Sequence, residues 1–310
     1  MSTSRPFRFG VTAEDGHVKT REEWIATARR SEDLGYDTFL VSDHLWLDVA
    51  PVSALMVAAA ATTSIRIGSH VFCNDFRSPV MLAKEVATLD MFSQGRFQFG
   101  LGCGVFQDDY RQASIAFDEP RVRIDRMKEA LSIIKHYFTD EVVNFCGKYY
   151  SVTDLKGCAC HVQKPYPPVY IGASGKRMLT IAGREADIVG IGGEGTTEVT
   201  RQQLAWLHEA AGERFDHLEL ATVVFVVKIT DRPKEAAQEV ADHFPVPQIA
   251  DHFNLTPEHA LDNLQILIGS VDQIVETLLD RRERFGISYI VVDGTCLETF
   301  APIVARLAGK

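Results

Sequence analysis

The sequence predicts an α/β fold of the (β/α)8 TIM-barrel class, one domain spanning residues 1–310. Three observations carry this. Short β-like runs alternate with helical runs along the whole chain; eight β-like runs can be counted; and no composition break or flexible linker divides them. Parallel neighbours need crossover connections, so strict alternation implies a parallel sheet. A count of eight favours a closed barrel over an open doubly wound sheet. The 310 residues, 46% hydrophobic and 24% charged, supply ample core.

The elements follow in order. FRFGV (7–11) leads to a helix from about Thr20, closed by Gly35. TFLVS (38–42) precedes the Ala-rich run PVSALMVAAAATTS (51–64), and IRIGSHV (65–71) precedes PVMLAKEVATLDMFS (79–93). FQFGLG (97–102) precedes a helix over 121–138, where Ile124, Met127, Leu131, Ile134 and Phe138 keep the spacing of one buried face. VYIGA (169–173) leads to a helix over 175–186, and DIVGI (187–191) to one over 197–215. LELATVVFVVKIT (218–230) reads as the seventh strand, followed by a helix from Pro233. A helix over 271–285 precedes the eighth strand, YIVVD (289–293), and a short C-terminal helix. Two insertions stand out: 139–168, with a hairpin of VVNF against KYYSV, and 245–269.

The net charge of −10 disfavours nucleic acid or an anionic membrane surface as partner. No run is long and apolar enough to span a bilayer, and MSTSRPFRFG has no apolar signal-peptide core, so a cytoplasmic location is expected. Six cysteines in a chain of this length do not read as a disulfide framework. Cys146, Cys158, Cys160 and His161 cluster in the first insertion, but the C-x-C spacing is tighter than common zinc motifs, and no metal is expected. The apolar circumference of ALMVAAAATTS points to an outer face that meets another surface.

In a barrel of this class, chemistry sits at the C-terminal ends of strands. Four segments qualify. SDHLW (42–46) ends the second strand; Asp43 and His44 are adjacent, so one side chain can face the mouth while the other anchors the loop. A histidine there can exchange a proton or bond a cofactor ring. GSHVFCNDFRSP (68–79) brings His70, Cys73 and Asn74 to the same mouth. GLGCGVFQDD (100–109) nearly fits a dinucleotide fingerprint, but Val105 holds the third glycine's place and the following helix is delayed. Backbone clearance at Gly100, Gly102 and Gly104 for a flat group is the reading that survives. YIGASGKRML (170–179) places Ala173, Ser174 and Gly175 before a helix N-terminus, which suits a phosphate, with a Ser174 cap as the plainer alternative.

These segments, with RSPVMLAKEVATLDMFSQGRFQFGLGCG, RMKEALSIIKHYF, FCGKYYSV, VQKPYPPVYIGASGKRML, EADIVGIG and LIGSVDQIVETL, resemble the bacterial-luciferase-like family of flavin- and deazaflavin-dependent oxidoreductases over nearly the whole chain. The resemblance implies a luciferase-like (β/α)8 barrel and, through the Asp-His pair, the branch that uses coenzyme F420 rather than FMN. By resemblance, His44 sits near the reactive face of the ring and Asp43 contributes to ring binding or loop geometry. A bulge with a non-prolyl cis peptide is implied at His70–Val71. The cofactor's phosphate falls to 173–175, with Gly192 and Gly193 as a second contact. Some relatives carry a catalytic glutamate where this chain has Val105, so His44, Asp108, Asp109 or a thiol must serve, or no acid is needed.

The expected function is hydride transfer between F420 and a small organic substrate, in the direction of reducing an activated C=C, C=N or C=O bond. His44 and Asp43 are the catalytic candidates; the cofactor contacts are Asp43, His44, His70, Val71, Cys73, Gly102, Gly104, Val105, Asp108, Ala173, Ser174, Gly175, Gly192 and Gly193. A reduced-FMN monooxygenase and a non-catalytic flavin-binding protein are the alternatives.

Overall fold

The computed structural model describes residues 5–13, 20–244 and 255–310. Its strands and helices alternate as β1 (Arg8–Thr12), α1 (Arg21–Asp33), β2 (Thr38–Val41), α2 (Pro51–Ala61), β3 (Arg66–Ser69), β4 (Phe72–Cys73), α3 (Pro79–Phe92) and β5 (Phe97–Gly102). Then come α4 (Gln107–Gln112), α5 (Pro120–Thr139), β6 (Val142–Cys146), β7 (Ser151–Lys156), β8 (Val169–Ala173), α6 (Lys176–Glu185), β9 (Ile188–Ile191) and α7 (Thr197–Ala211). The chain ends with β10 (Glu219–Val224), β11 (Val226–Ile229), α8 (Pro233–Asp242), a helix Pro257–Asp262, β12 (Ile266–Gly269), a helix Val271–Phe285, β13 (Ile287–Val292) and a helix Leu297–Leu307.

The main sheet runs β3-β2-β1-β13-β10-β9-β8-β5-β4, and β3 also pairs with β5. With β4 continuing β3, eight parallel strands close into the predicted (β/α)8 barrel. Strands β2, β5, β9 and β13 are buried along their whole length, as both-faces-covered strands must be. Two compact units can be described: 5–13, 30–39, 172–244 and 255–310 form one, and 20–29 with 40–171 the other. In the first, Arg8 bonds Asp37 at 2.6 Å and Glu219 at 2.5 Å. In the second, the buried Asp90 carboxylate accepts from the Val162 and Gln163 amides at 2.6 and 3.1 Å, tying the end of the first insertion to α3.

Three elements differ from expectation. The run 218–230 is not one strand: it breaks at Phe225, and β11 leaves the barrel to pair in parallel with β12, Val226 opposite Ile266. A small separate core explains the break: Val226, Ala237, Val240, Ala260 and Ile266 bury one another beside Phe225 and Leu255. The insertion 245–269 is therefore partly ordered around this core, with 245–254 outside the described residues. The long loop after β5 contains the six-residue helix α4. Its acidic Gln107–Gln112 sequence lacks a full buried stripe, so periodicity gives no warning of it.

The third strand is interrupted as the resemblance implies. The His70–Val71 peptide is cis, and the four residue steps from Gly68 to Phe72 lie opposite three steps of β5, from Gln98 to Leu101. The predicted hairpin is β6–β7, antiparallel with Phe145 opposite Val152. No described helix is long and apolar enough to cross a membrane.

Candidate active site

The predicted site residues fall into two groups, one in each unit. The first group gathers on the strand ends of β2, β3–β4 and β5. Its centre is His44, whose Nδ1 lies 2.9 Å from Asp109 Oδ2. The other oxygen of Asp109 accepts from the Leu45 amide at 3.1 Å. Two bonds thus hold the Asp109 carboxylate, which is buried on the first turn of α4. A carboxylate facing Nδ1 fixes the imidazole tautomer with its proton on Nδ1, leaving Nε2 as the acceptor. Nε2 makes no hydrogen bond among the described residues. Burial pulls His44 below the ordinary imidazole range, while the Asp109 bond and charge push the other way; the net direction is down. His44 is accordingly a neutral base near pH 7.

Aromatic rings fix the plane of that imidazole. Trp46 stacks on it at 4.0 Å between centroids with 6° between planes, and Phe106 meets both rings edge-on at about 5 Å. Around them Leu45, Trp46 and Val105 are exposed at 44%, 41% and 59%. Val105 therefore contributes apolar surface to the rim.

Asp43 has the anchoring role of the pair. It is buried, engaged by both Arg77 terminal nitrogens, and accepts from the Cys73 amide at 3.0 Å. With its carboxylate occupied by a bidentate guanidinium, it braces the β2 and β4 loops. Alternation along the extended chain separates the two neighbours as expected.

Three other expectations are corrected. Asp108 points away from His44: it is exposed and pairs with Arg111 at 3.1 Å across one turn of α4. Cys73 is buried, its Sγ 3.6 Å from the Tyr110 hydroxyl, and burial pushes its thiol up to about 11. A thiol held that far from ionisation is a poor proton donor or nucleophile near neutrality. The glycines after β5 are cleared for the chain itself. A Cβ on Gly100 would lie 2.0 Å from the Ser69 carbonyl oxygen, one on Gly102 2.6 Å from Val71, and one on Gly104 2.1 Å from the Tyr110 hydroxyl. Gly104 also has φ of +76°.

His70 and Val71 lie in the interruption between β3 and β4. The His70 carbonyl accepts from Ser42 Oγ at 2.7 Å, and its Nε2 lies 3.2 Å from the Tyr170 hydroxyl. Burial holds this imidazole down at about 4, so it is neutral. Beneath the group, the Tyr110 hydroxyl donates to Asp75 at 2.9 Å, and Arg126 forks onto the same carboxylate. Arg77, Arg126 and Tyr110 were not singled out by sequence. Arg77 lies inside FCNDFRSP, where its closeness to an acidic loop was the only signal.

The second group is Ala173, Ser174, Gly175, Gly192 and Gly193. Gly175, and not Ser174, is the N-cap of α6, and no side chain caps that helix. The helix thus begins without the N-cap side chain that ordinarily meets its first turn. A Cβ on Gly172, Gly175 or Gly192 would meet no atom within 4 Å, so this group is open where the β5 glycines are filled. The Gly192 amide bonds the Ala173 carbonyl at 3.2 Å, and Gln203 of α7 donates to the carbonyls of Ser174 and Gly192 at 3.0 and 2.7 Å.

In the first insertion, the Cys158 and Cys160 sulfurs are 3.8 Å apart, and His161 packs on Phe138. No group of three or more His, Cys, Asp or Glu among the described residues is placed to hold a metal ion.

A parallel eight-stranded barrel with a histidine–carboxylate pair at its strand ends defines a class of enzyme-like scaffold. Comparison supplies the family. The luciferase-like monooxygenase family model matches residues 2–288, and the chain belongs to that family. An F420-dependent glucose-6-phosphate dehydrogenase of Kribbella flavida is 30% identical over 264 residues, 81% of this chain and 76% of that protein. An F420-dependent hydroxymycolic acid dehydrogenase of Mycobacterium tuberculosis is 31% identical over 194 residues, 60% of this chain and 53% of that protein. The structure of the coenzyme F420-dependent tetrahydromethanopterin reductase of Methanopyrus kandleri superposes with a TM-score of 0.76 over 99% of each chain at 20% identity, which establishes the shared fold.

Proposed function

We propose that this protein is an F420-dependent oxidoreductase that moves hydride between the deazaflavin and the carbinol or carbonyl carbon of a small organic substrate. The observation that carries the reading is the neutral His44, held through Nδ1 by Asp109 with Nε2 left to accept. The two relatives described above, both F420-dependent dehydrogenases, support it.

When bound, the deazaflavin supplies the hydride acceptor or donor, and the protein supplies orientation and proton handling. His44 Nε2 takes the proton from a substrate hydroxyl as the C–H bond gives up hydride. In the reverse direction it returns that proton to the carbonyl oxygen. A C=O bond is thus the activated double bond this pair fits best, because its proton moves on oxygen. Asp109 stabilises the imidazolium formed in the oxidative direction. The exposed apolar rim of Leu45, Trp46 and Val105 favours a substrate with an apolar flank beside the reacting carbon.

The residues fit the cofactor. Its phosphate needs room and N–H donors, and the second group offers two glycines, Gly175 and Gly192, open on their Cβ side beside an uncapped helix N-terminus. Ser174, Gly175, Gly192 and Gly193 would hold that phosphate; His44, His70 and Val71 would lie against the ring.

The test is anaerobic incubation with oxidised F420 and a panel of alcohols, following deazaflavin absorbance and carbonyl product together. His44→Ala should lower turnover on the order of 10² to 10⁴-fold. A folded His44→Ala protein that turns over like the wild type would refute the role of His44. Oxygen uptake dependent on reduced FMN would favour the monooxygenase alternative.

A homodimer through the outer face of α2 belongs to the same proposal. Val52, Met56 and Val57 stay half-exposed there, while Met81 and Phe92 on α3 are exposed at 54% and 61%.

A further inference from the structure

Gln203 sits on the buried face of α7 with Thr200 and Leu207, at the spacing of a single helix face. It is 2% exposed, and its carboxamide nitrogen donates to two backbone carbonyls from different loops: Ser174 after β8 at 3.0 Å and Gly192 after β9 at 2.7 Å. Two acceptors fix the amide orientation, since the flipped form would set its oxygen against both carbonyl oxygens. The loops also touch directly: a Cβ built on Gly193, which has φ of +98°, would lie 3.2 Å from the Ser174 Cβ.

A trans peptide is planar, with its C=O and N–H pointing in opposite directions. The Ser174 carbonyl faces Gln203, so the Gly175 N–H points away from it. The Gly192 carbonyl also faces Gln203, so the Gly193 N–H likewise points away. Neither N–H makes a hydrogen bond among the described residues. Gly175 and Gly192 are also open where a Cβ would stand.

A stabilising role alone explains this side chain poorly. The Gln203 carboxamide oxygen is buried without a hydrogen-bond partner among the described residues. A buried acceptor left unpaired is unfavourable, and an apolar side chain of similar size would avoid it.

We propose that Gln203 is a positioning residue for the anion cradle: it locks the β8 and β9 loops together and turns the Gly175 and Gly193 N–H groups toward a bound phosphate. The inference rests on the F420 reading for the identity of the phosphate, but not for its chemistry.

Gln203→Met keeps the length and removes the donor. Dissociation constants of wild type and Gln203→Met are measured for F420 and for the deazaflavin riboside that lacks the phosphate. F420 affinity should fall about 10- to 100-fold, on the scale of one hydrogen bond to a charged group, with riboside affinity changed less than twofold. Equal losses for both ligands, or no loss for F420, would overturn it. If the wild type binds neither ligand, the cofactor reading falls, and inorganic phosphate decides the cradle. Phosphate must then raise the melting temperature of the wild type and not of Gln203→Met; an equal response overturns the proposal. If Gln203→Met does not fold, the wild-type amide resonances of Gly175 and Gly193 carry the test. Shifts confined to those loops on phosphate addition support the cradle, and their absence overturns it.

Discussion

Two adjacent residues, Asp43 and His44, divide structural and chemical labour. Asp43 spends its carboxylate on Arg77 and the Cys73 amide, so His44 alone offers a free nitrogen. The sequence made the pair visible, and its alternation on an extended chain predicted the division. It did not show which acid completes the site, because Asp108 and Asp109 are neighbours whose directions are set by the short helix α4, which periodicity does not announce. The pH profile should follow His44. Its pKa is lowered, so the oxidative kcat/KM should be flat near neutrality and fall with acid below the usual imidazole range. In Asp109→Asn, removal of the groups that push the pKa up should move that fall to still lower pH and cut kcat by at least about tenfold. A profile that rises with acid would assign the proton to another group. His70 gives a separate stability effect. Its folded pKa of about 4 lies below the unfolded value near 6.5, so the unfolded chain takes up protons first. Melting temperature should drop as pH falls from about 6.5 to about 4, and His70→Gln should flatten that slope.

At the level of elements, glycines that look alike in sequence behave oppositely. GLGCG was legible as a run needing bare backbone, but its occupants were not: Ser69 and Val71, remote in sequence, and Tyr110, on a short helix that periodicity does not announce, fill the space. Gly175 and Gly192 face open space instead. Gly100→Ala should therefore destabilise the fold by about 2 kcal/mol or more, through overpacking against backbone. Gly175→Ala, at φ of −88°, should leave stability within about 1 kcal/mol and weaken F420 binding. Chemical denaturation and cofactor titration on the two variants separate these effects; equal stability losses would contradict the contrast. The run 218–230 carries the same lesson. Every residue around Phe225 favours a strand, so only the distant core of Val226, Ala237 and Ile266 reveals that the chain leaves the barrel there.

Over the whole molecule, the alternation of eight strands with helices was enough to predict the closed barrel, because crossover geometry leaves few other ways to bury parallel strands. What alternation does not encode is the ordering of the insertions and the tie that Gln203 makes between two loops. The proposed dimer through the half-exposed apolar face of α2 should appear in sedimentation equilibrium at micromolar concentration; a monomer there would contradict it. The central claim is that this barrel binds a deazaflavin for hydride transfer with His44 as its base. Parallel titration of the purified protein with F420, FMN and NADPH tests it most directly. Saturable F420 binding is expected, tighter than for either competitor, together with alcohol-dependent deazaflavin reduction that His44→Ala abolishes. Saturable binding of FMN or NADPH with none of F420 would contradict it.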